Sequence, residues 1–475
     1  AQILCSRGQE DQISNLVDPK NLSQIMNLLN IELVEPSSVS KKNNDEELPI
    51  ISVDDAPHWP RYFEYLRTKK KPWNDNSLKS LDGSTQKILE KLPRASKNSF
   101  DSNGLVVGHV QAGKTANYTG LIAKAADQGY NLFIVFTGTT NSLREQTQGR
   151  LEKELFGNDD PESVRKPALD NRWQSFTTNE EDGDFKFNLD SSFLIGNQPR
   201  IIIAKKFHTV LDNIVDFLSN TETEILDTKK LLLIDDEADY ASINTLNDEE
   251  SGQEEISEET KNATKTNESL RRIRNYFRCN AYVGYTATPF ANVLIDPHYI
   301  DDELGRTLYP RDFIVSLQQP KEYFGTKEFF PELNDFNEKA DKLCIVPDGE
   351  AEVMREGGNS NPENYGLPDS FLRAFIDFIL TGAVKTLRLN DPNNEYDDKH
   401  HTMLVQTHHE IVIHEDTAKR LNAVWDSWKS DLIVNSKKSW LVSIFKNRWE
   451  NEFSTSPEKW KDICDLICKP SWVRK

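Results

Sequence analysis

The chain has 475 residues, a formal net charge of −20, and 37% hydrophobic against 28% charged residues. That length supports two or three domains with their own cores, and the balance excludes a disordered chain; no apolar run approaches the ~20 residues of a membrane-spanning helix. Five scattered cysteines fit a reducing cytoplasm rather than a disulfide framework, and the opening segment Ala1–Gln12 lacks the apolar centre of a secretion signal.

Along the chain, residues 1–97 read as an accessory, helical region. Polar runs such as Pro36–Glu47 alternate with short helical patterns, and aromatic and leucine positions from Trp59 to Leu92 recur at helical spacing. Residues 98–330 change texture. Short apolar runs alternate with helical stretches: GLVVGHV, NLFIVFTG, PRIIIAKK, KLLLIDDEAD and NAYVGYTATP. Continuous apolar runs separated by helices predict parallel strands buried on both faces, so this stretch reads as one doubly wound α/β domain, with ligands expected at the carboxyl ends of its strands. Residues 331–395 read as a polar linker followed by a helical insert, SFLRAFIDFILTGAVKTLR. From 396 to 475 the run TMLVQT predicts a strand opening a second α/β lobe. Too few residues follow to complete that lobe, and the chain does not begin with Met, so a fragment of something longer is expected.

The most specific local pattern is Gly108-His109-Val110-Gln111-Ala112-Gly113-Lys114-Thr115, which fits G-x-x-x-x-G-K-[ST] at every fixed position. It follows an apolar run and precedes a helical stretch, the strand–loop–helix context of a P-loop (Walker A). Glycines allow backbone N–H groups to wrap phosphates, the helix N-terminus adds partial positive charge, and Lys114 would meet the β and γ oxygens of ATP. The Thr115 hydroxyl would ligate Mg2+. A chance match in a chain of this length is on the order of one in a hundred.

Leu231–Ile234 followed by Asp235-Asp236-Glu237-Ala238-Asp239 reads as a buried strand delivering carboxylates at its C-terminal end, a DEAD-type Walker B segment. On that pattern Asp236 would hold the metal and Glu237 would polarise the attacking water. Alone, a cluster of acids is as often a surface turn; beside a complete phosphate loop the catalytic reading is stronger. Tyr285-Thr286-Ala287-Thr288-Pro289 supplies two hydroxyls at another strand end, and these can hydrogen-bond the carboxylates of the acidic segment and couple nucleotide state to the rest of the protein. By itself that motif is weak, and its place third in order gives it value.

Other residues carry evenly divided readings. Arg144, in the strand-to-helix transition Val135–Arg144, is a candidate contact to a nucleic-acid backbone or a solvated arginine on a capped helix. Lys205 and Lys206, ending IIIAKK, divide the same way. Gln86, upstream of the loop, could read adenine, although a solvated helix glutamine is the better reading. Five of the nine histidines lie between His400 and His414, but period-two geometry sends His408 and His409 to opposite faces, favouring structural roles over a metal site. Cys464 and Cys468, four apart on a predicted helix, read as packing.

The order GHVQAGKT, LLLIDDEAD, GYTATP resembles superfamily 2 helicases and translocases. The longer strings VVGHVQAGKTANYTGLIAKAADQGY, LLLIDDEADYASIN, AYVGYTATPFANVLI, LYPRDFIVSL and HHTMLV resemble bacterial proteins carrying the Z1 domain, a family labelled as endonucleases and found beside restriction and phage-defence genes. The resemblance runs from about Trp59 to the C-terminus. It implies a RecA-like motor lobe, ATP and Mg2+ as cofactors, DNA as partner, and other components of a defence system as further partners. Lys114 and Thr115 match the family's phosphate loop, Asp236 and Glu237 its acidic pair, and Thr286 and Thr288 its coupling motif. Two departures stand out: the serine-arginine-glycine and glycine-arginine segments of the family's second lobe are absent, and no Asp, Glu and Lys constellation of a nuclease is found. An ATP-dependent DNA translocase is therefore the first expectation, with an ATP-gated endonuclease and a nucleotide-dependent binding switch as alternatives. The charge of −20 decides nothing here, because a basic groove can lie on an acidic body and much of the acid is local, in Asp248–Glu259.

Overall fold

The computed structural model describes residues 38–40, 57–109, 113–157, 172–186, 190–240, 258–319, 325, 346–356, 366–391, 400–408 and 410–473. They fall into two units, Ala1–Thr326 and Lys327–Lys475. In the first unit the order is β1 (Ser38–Ser40), α1 (His58–Thr68), α2 (Asp75–Lys91), β2 (Phe100–Val107), α3 (Lys114–Asp127), β3 (Leu132–Thr137) and α4 (Asn141–Leu151). There follow β4 (Gln174–Ser175), β5 (Arg200–Lys205), α5 (His208–Ser219), α6 (Thr223–Asp227), β6 (Leu231–Asp236), α7 (Glu258–Asn275) and β7 (Cys279–Thr286). A short helix α8 (Phe290–Val293), a small hairpin β8 (Ile300–Asp301) with β9 (Gly305–Arg306), and β10 (Phe313–Ser316) complete the unit.

The main sheet has the strand order β1-β10-β2-β7-β6-β3-β5-β4. Seven of these strands are mutually parallel, and β1 is added antiparallel at one edge. The central strands read as unbroken apolar runs because both faces are covered. On one face Phe133, Val135, Ile201, Ile203, Leu232 and Ile234 pack with α1, α2 and α3. On the other, Leu132, Ile134, Phe136, Ile202, Leu231 and Leu233 pack with α5 and α7. Each such buried side chain contributes roughly 1.5–3 kcal/mol of transfer free energy.

Helices α1 and α2 belong to this core rather than to a separate accessory region: Tyr62, Leu66, Leu81 and Ile88 share one apolar cluster with β2, β3 and β7. The start of α1 is fastened by Asp127 at the end of α3, whose carboxylate accepts from the backbone N–H of His58 at 2.9 Å and of Trp59 at 2.8 Å. An acid from a distant helix thereby does what an N-cap side chain does locally.

In the second unit the described elements are α9 (Asp348–Glu356), α10 (Asp369–Leu389), α11 (Ile411–Asn435), α12 (Trp440–Glu452), α13 (Trp460–Ile467) and α14 (Pro470–Val473). Phe375, Ile379, Trp428, Leu432, Phe445 and Ile463 form its core, and Cys464 and Cys468 are buried in the same cluster. Thr402–Thr407, predicted as the opening strand of a second lobe, has no ladder partner among the described residues and is not a strand, and Leu404 in its middle is exposed. Among the described residues of this unit the elements are all helical. An apolar run of four or five residues needs a neighbouring edge to become a strand, and the described elements of this unit, all helical, offer none. His401 lies flat on Phe378 with ring centroids 4.2 Å apart, and the backbone N–H of Glu410 donates to His408 Nδ1 at 3.0 Å. His409 lies outside the described residues.

Candidate nucleotide site

The sheet brings the three motifs to one end. β2, β7 and β6 are adjacent, so the segments following Val107, Asp236 and Thr286 emerge side by side at their carboxyl ends. Gly108 continues the ladder by donating its N–H to Thr286 O at 2.9 Å. His109 is exposed. Val110, Gln111 and Ala112, the middle of the expected phosphate loop, lie outside the described residues. Gly113 then starts α3 with φ +88°, a left-handed conformation that favours glycine, and leaves the first N–H groups of a 14-residue helix facing this end of the sheet.

Lys114, almost wholly buried along its stem, brings its ammonium to 3.3 Å from Glu237 Oε1 and 3.4 Å from Oε2. Thr115, half-buried beside it, gives its carbonyl to the Thr119 hydroxyl at 2.7 Å. Asp236 ends β6. Its Oδ1 accepts from the Glu237 N–H at 3.1 Å and its Oδ2 from the Tyr118 hydroxyl at 3.3 Å. Burial, and then the adjacent charge of Glu237, push the Asp236 carboxyl up to about 6, while Lys114 and Lys206 pull it down. Burial and the Asp236 charge push the Tyr118 phenol far above its usual range, which keeps it a donor.

Glu237 itself has φ +52°, one of two left-handed non-glycine residues among those described. The turn it opens lies close against β7. A Cβ on Gly284 would meet Ala238 Cβ at 2.9 Å, and the Ala238 N–H donates to Tyr285 O at 3.0 Å. Thr286 and Thr288 both donate their hydroxyls to Asp239, the former at 2.7 Å to Oδ1, the latter to Oδ2. The Thr288 N–H closes the arrangement on Thr286 Oγ1 at 2.9 Å. The hydroxyls thus meet the last acid of the segment, not the pair beside Lys114.

Three sequence candidates find other places. Arg144 is fully buried, and it donates to the carbonyls of Thr178 at 2.7 Å and Glu180 at 2.6 Å, so it tethers a loop and is not free to meet a phosphate backbone. Gln86 donates to Glu90 at 3.1 Å and accepts from Lys124 at 3.4 Å. Lys124 stands ten residues past Lys114, nearly three helical turns along α3, so the adenine reading of Gln86 is not supported. Lys206 is fully buried and engaged with the acidic turn, a role that its position after β5 did not reveal. Lys205, its neighbour, is half-buried, with Nζ 2.7 Å from Asn141 Oδ1 and over the ring of Phe207.

A doubly wound parallel sheet, with a lysine-bearing helix start after one central strand and a carboxylate pair after another, is a P-loop NTPase lobe of the RecA-like kind. Residues 78–291 match the family of the type III restriction enzyme, res subunit, and residues 370–470 match the Z1 domain. No curated protein matches the chain significantly. The chain joins a superfamily 2 helicase-like lobe to a Z1 domain. The Z1 match falls on the helical second unit, whereas the motor strings fall within the restriction-subunit match. Among the described residues no helix is long and apolar enough to cross a membrane.

Proposed function

We propose that this helicase-like ATPase is an ATP-driven DNA translocase of a restriction or phage-defence system, working in the cytoplasm. The observation that carries the reading is the meeting of Lys114 and Glu237 at 3.3 Å, with Asp236 next in the chain and the start of α3 beside them. These are the parts that phosphoryl transfer to water requires.

Lys114 and the N–H groups at the start of α3 would bind the β and γ phosphates of ATP. Glu237 would take the proton of the attacking water at its side-chain oxygen. The donor set also suits a hard divalent cation, since burial and the charge of Glu237 raise the Asp236 carboxyl and a cation beside it would favour its ionised form, and the Thr115 hydroxyl is an oxygen donor in the adjacent turn. Asp236 and Thr115 would hold Mg2+, which when bound neutralises charge on the phosphates and spreads that of the transition state. Asp239, gripping Thr286 and Thr288, would pass the state of the site to the segment after β7.

The DNA reading rests on the restriction-subunit match and on Lys205 with Phe207 at the carboxyl end of β5, a cation and an aromatic ring that could meet a phosphate and a base. The deciding measurement is ATP hydrolysis by the full-length protein with and without single- and double-stranded DNA. Stimulation by DNA is the expected result. Hydrolysis indifferent to both would favour a nucleotide-dependent binding switch, and metal-dependent nicking of plasmid without ATP would favour a nuclease.

A further inference from the structure

Lys206 carries one of the largest fully buried side chains among the described residues. Its ammonium lies 3.1 Å from Asp235 Oδ1, also fully buried, and donates to the carbonyls of Glu237 at 2.6 Å and Tyr240 at 2.9 Å. Two of these acceptors belong to the turn that carries Glu237, and an ammonium has three N–H donors to give. Asp235 is fixed from its other side by the Tyr282 hydroxyl, 2.6 Å from Oδ2. The same turn is held from β7 and α8, through the Ala238 N–H on Tyr285 O and the Asn292 amide on Ala238 O at 3.0 Å.

What needs holding is the backbone of Glu237. A φ of +52° is one that a residue with a side chain keeps only where its surroundings impose it. In that conformation its carboxylate faces Lys114. We propose that Lys206 is a positioning residue for ATP hydrolysis: its ammonium fixes the left-handed turn at Glu237 and so aims the general base, without itself touching the nucleotide. The proposal rests on Glu237 being that base.

A plainer role, counter-ion to buried Asp235, makes a different prediction and can be separated from this one. Lys206→Met takes the counter-ion from the buried Asp235 carboxylate, so it loses stability under either role. The double variant Lys206→Met/Asp235→Asn removes both charges, while Asp235→Asn alone keeps the ammonium on the two carbonyls. In the full-length protein the double variant should recover a Tm near that of the wild type and bind Mg–ATP within about threefold of it. Its kcat should still fall on the order of 10–100-fold, the scale expected when a reacting group is displaced by about 1 Å. Asp235→Asn alone should keep most of the wild-type kcat. A double variant with wild-type kcat, or a kcat in Asp235→Asn as low as in the double variant, would make Lys206 a counter-ion only and overturn the proposal. Glu237→Gln measured alongside tests the underlying reading: undiminished turnover there removes the base assignment and this inference with it.

Discussion

Lys114 reaches Glu237 through a stem that is almost wholly buried, but its ammonium makes no contact that the core depends on. Lys114→Ala should therefore keep the fold and abolish tight Mg–ATP binding, which titration calorimetry reads directly; unchanged affinity would remove the phosphate-loop assignment. Glu237→Gln should bind ATP and turn it over ~10²–10⁴-fold more slowly, since a carboxamide keeps the shape but cannot accept the proton. Asp236 adds a pH dependence. Its carboxyl is raised to about 6, so the folded protein binds that proton more tightly than the unfolded chain does. The stability this group contributes is present below about pH 4 and is lost as pH rises through about 6, by on the order of 3 kcal/mol at most. Denaturant midpoints from pH 4 to 7 should show that fall in the wild type and a flatter profile in Asp236→Asn, while Mg–ATP affinity rises over the same window. At this scale the places of Lys114, Asp236, Glu237, Thr286 and Thr288 were legible because local spacing alone sets the first at a helix start and the others at strand ends. Arg144 and Lys206 were not. Their partners, Thr178 and Glu180 in one case and the Glu237 turn in the other, lie more than thirty residues away, and a lone cation in a sequence carries no mark of what will fold over it.

Among elements, the five short apolar runs became β2, β3, β5, β6 and β7, because a strand covered on both faces writes its burial into nearly every residue. β4 and β10 are too short to announce themselves, at two and four residues. TMLVQT failed as a strand for the complementary reason: its pattern permits one, but pairing is a property of neighbours. The attachment of α1 was equally hidden, since Asp127 follows the helix it caps by about seventy residues. Asp127→Ala should leave two backbone N–H groups without a partner and destabilise the first unit by ~1–3 kcal/mol, seen as a lowered urea midpoint with the m-value retained. An unaltered midpoint would mean that α1 is held by its apolar face alone.

On the scale of the whole molecule, the two units have separate apolar cores, and α10 is tied to α12 within the second by Arg448, which grips Asp377 through both carboxylate oxygens at 2.7 and 2.6 Å. Residues 346–473 made alone should accordingly fold into a helical domain with a cooperative thermal transition, followed by circular dichroism; a broad, non-cooperative melt would show that they depend on the first unit. The strand order carries a consequence of another kind, for synthesis. β2, which leads into the phosphate loop, is flanked by β7 and β10, with Phe100 opposite Cys279 and Gly104 opposite Phe313. At roughly 5–20 residues per second, the ribosome needs on the order of ten to forty seconds after making β2 to deliver both of its neighbours. Until β7 is made this apolar strand has no ladder partner on either side, and until β10 follows it has one on a single side, so the nucleotide site, though encoded early, closes only when residues near 316 have left the exit tunnel. Nascent chains stalled before that point should remain protease-sensitive around Phe100–Val107, which makes this strand the place where a chaperone would first be needed.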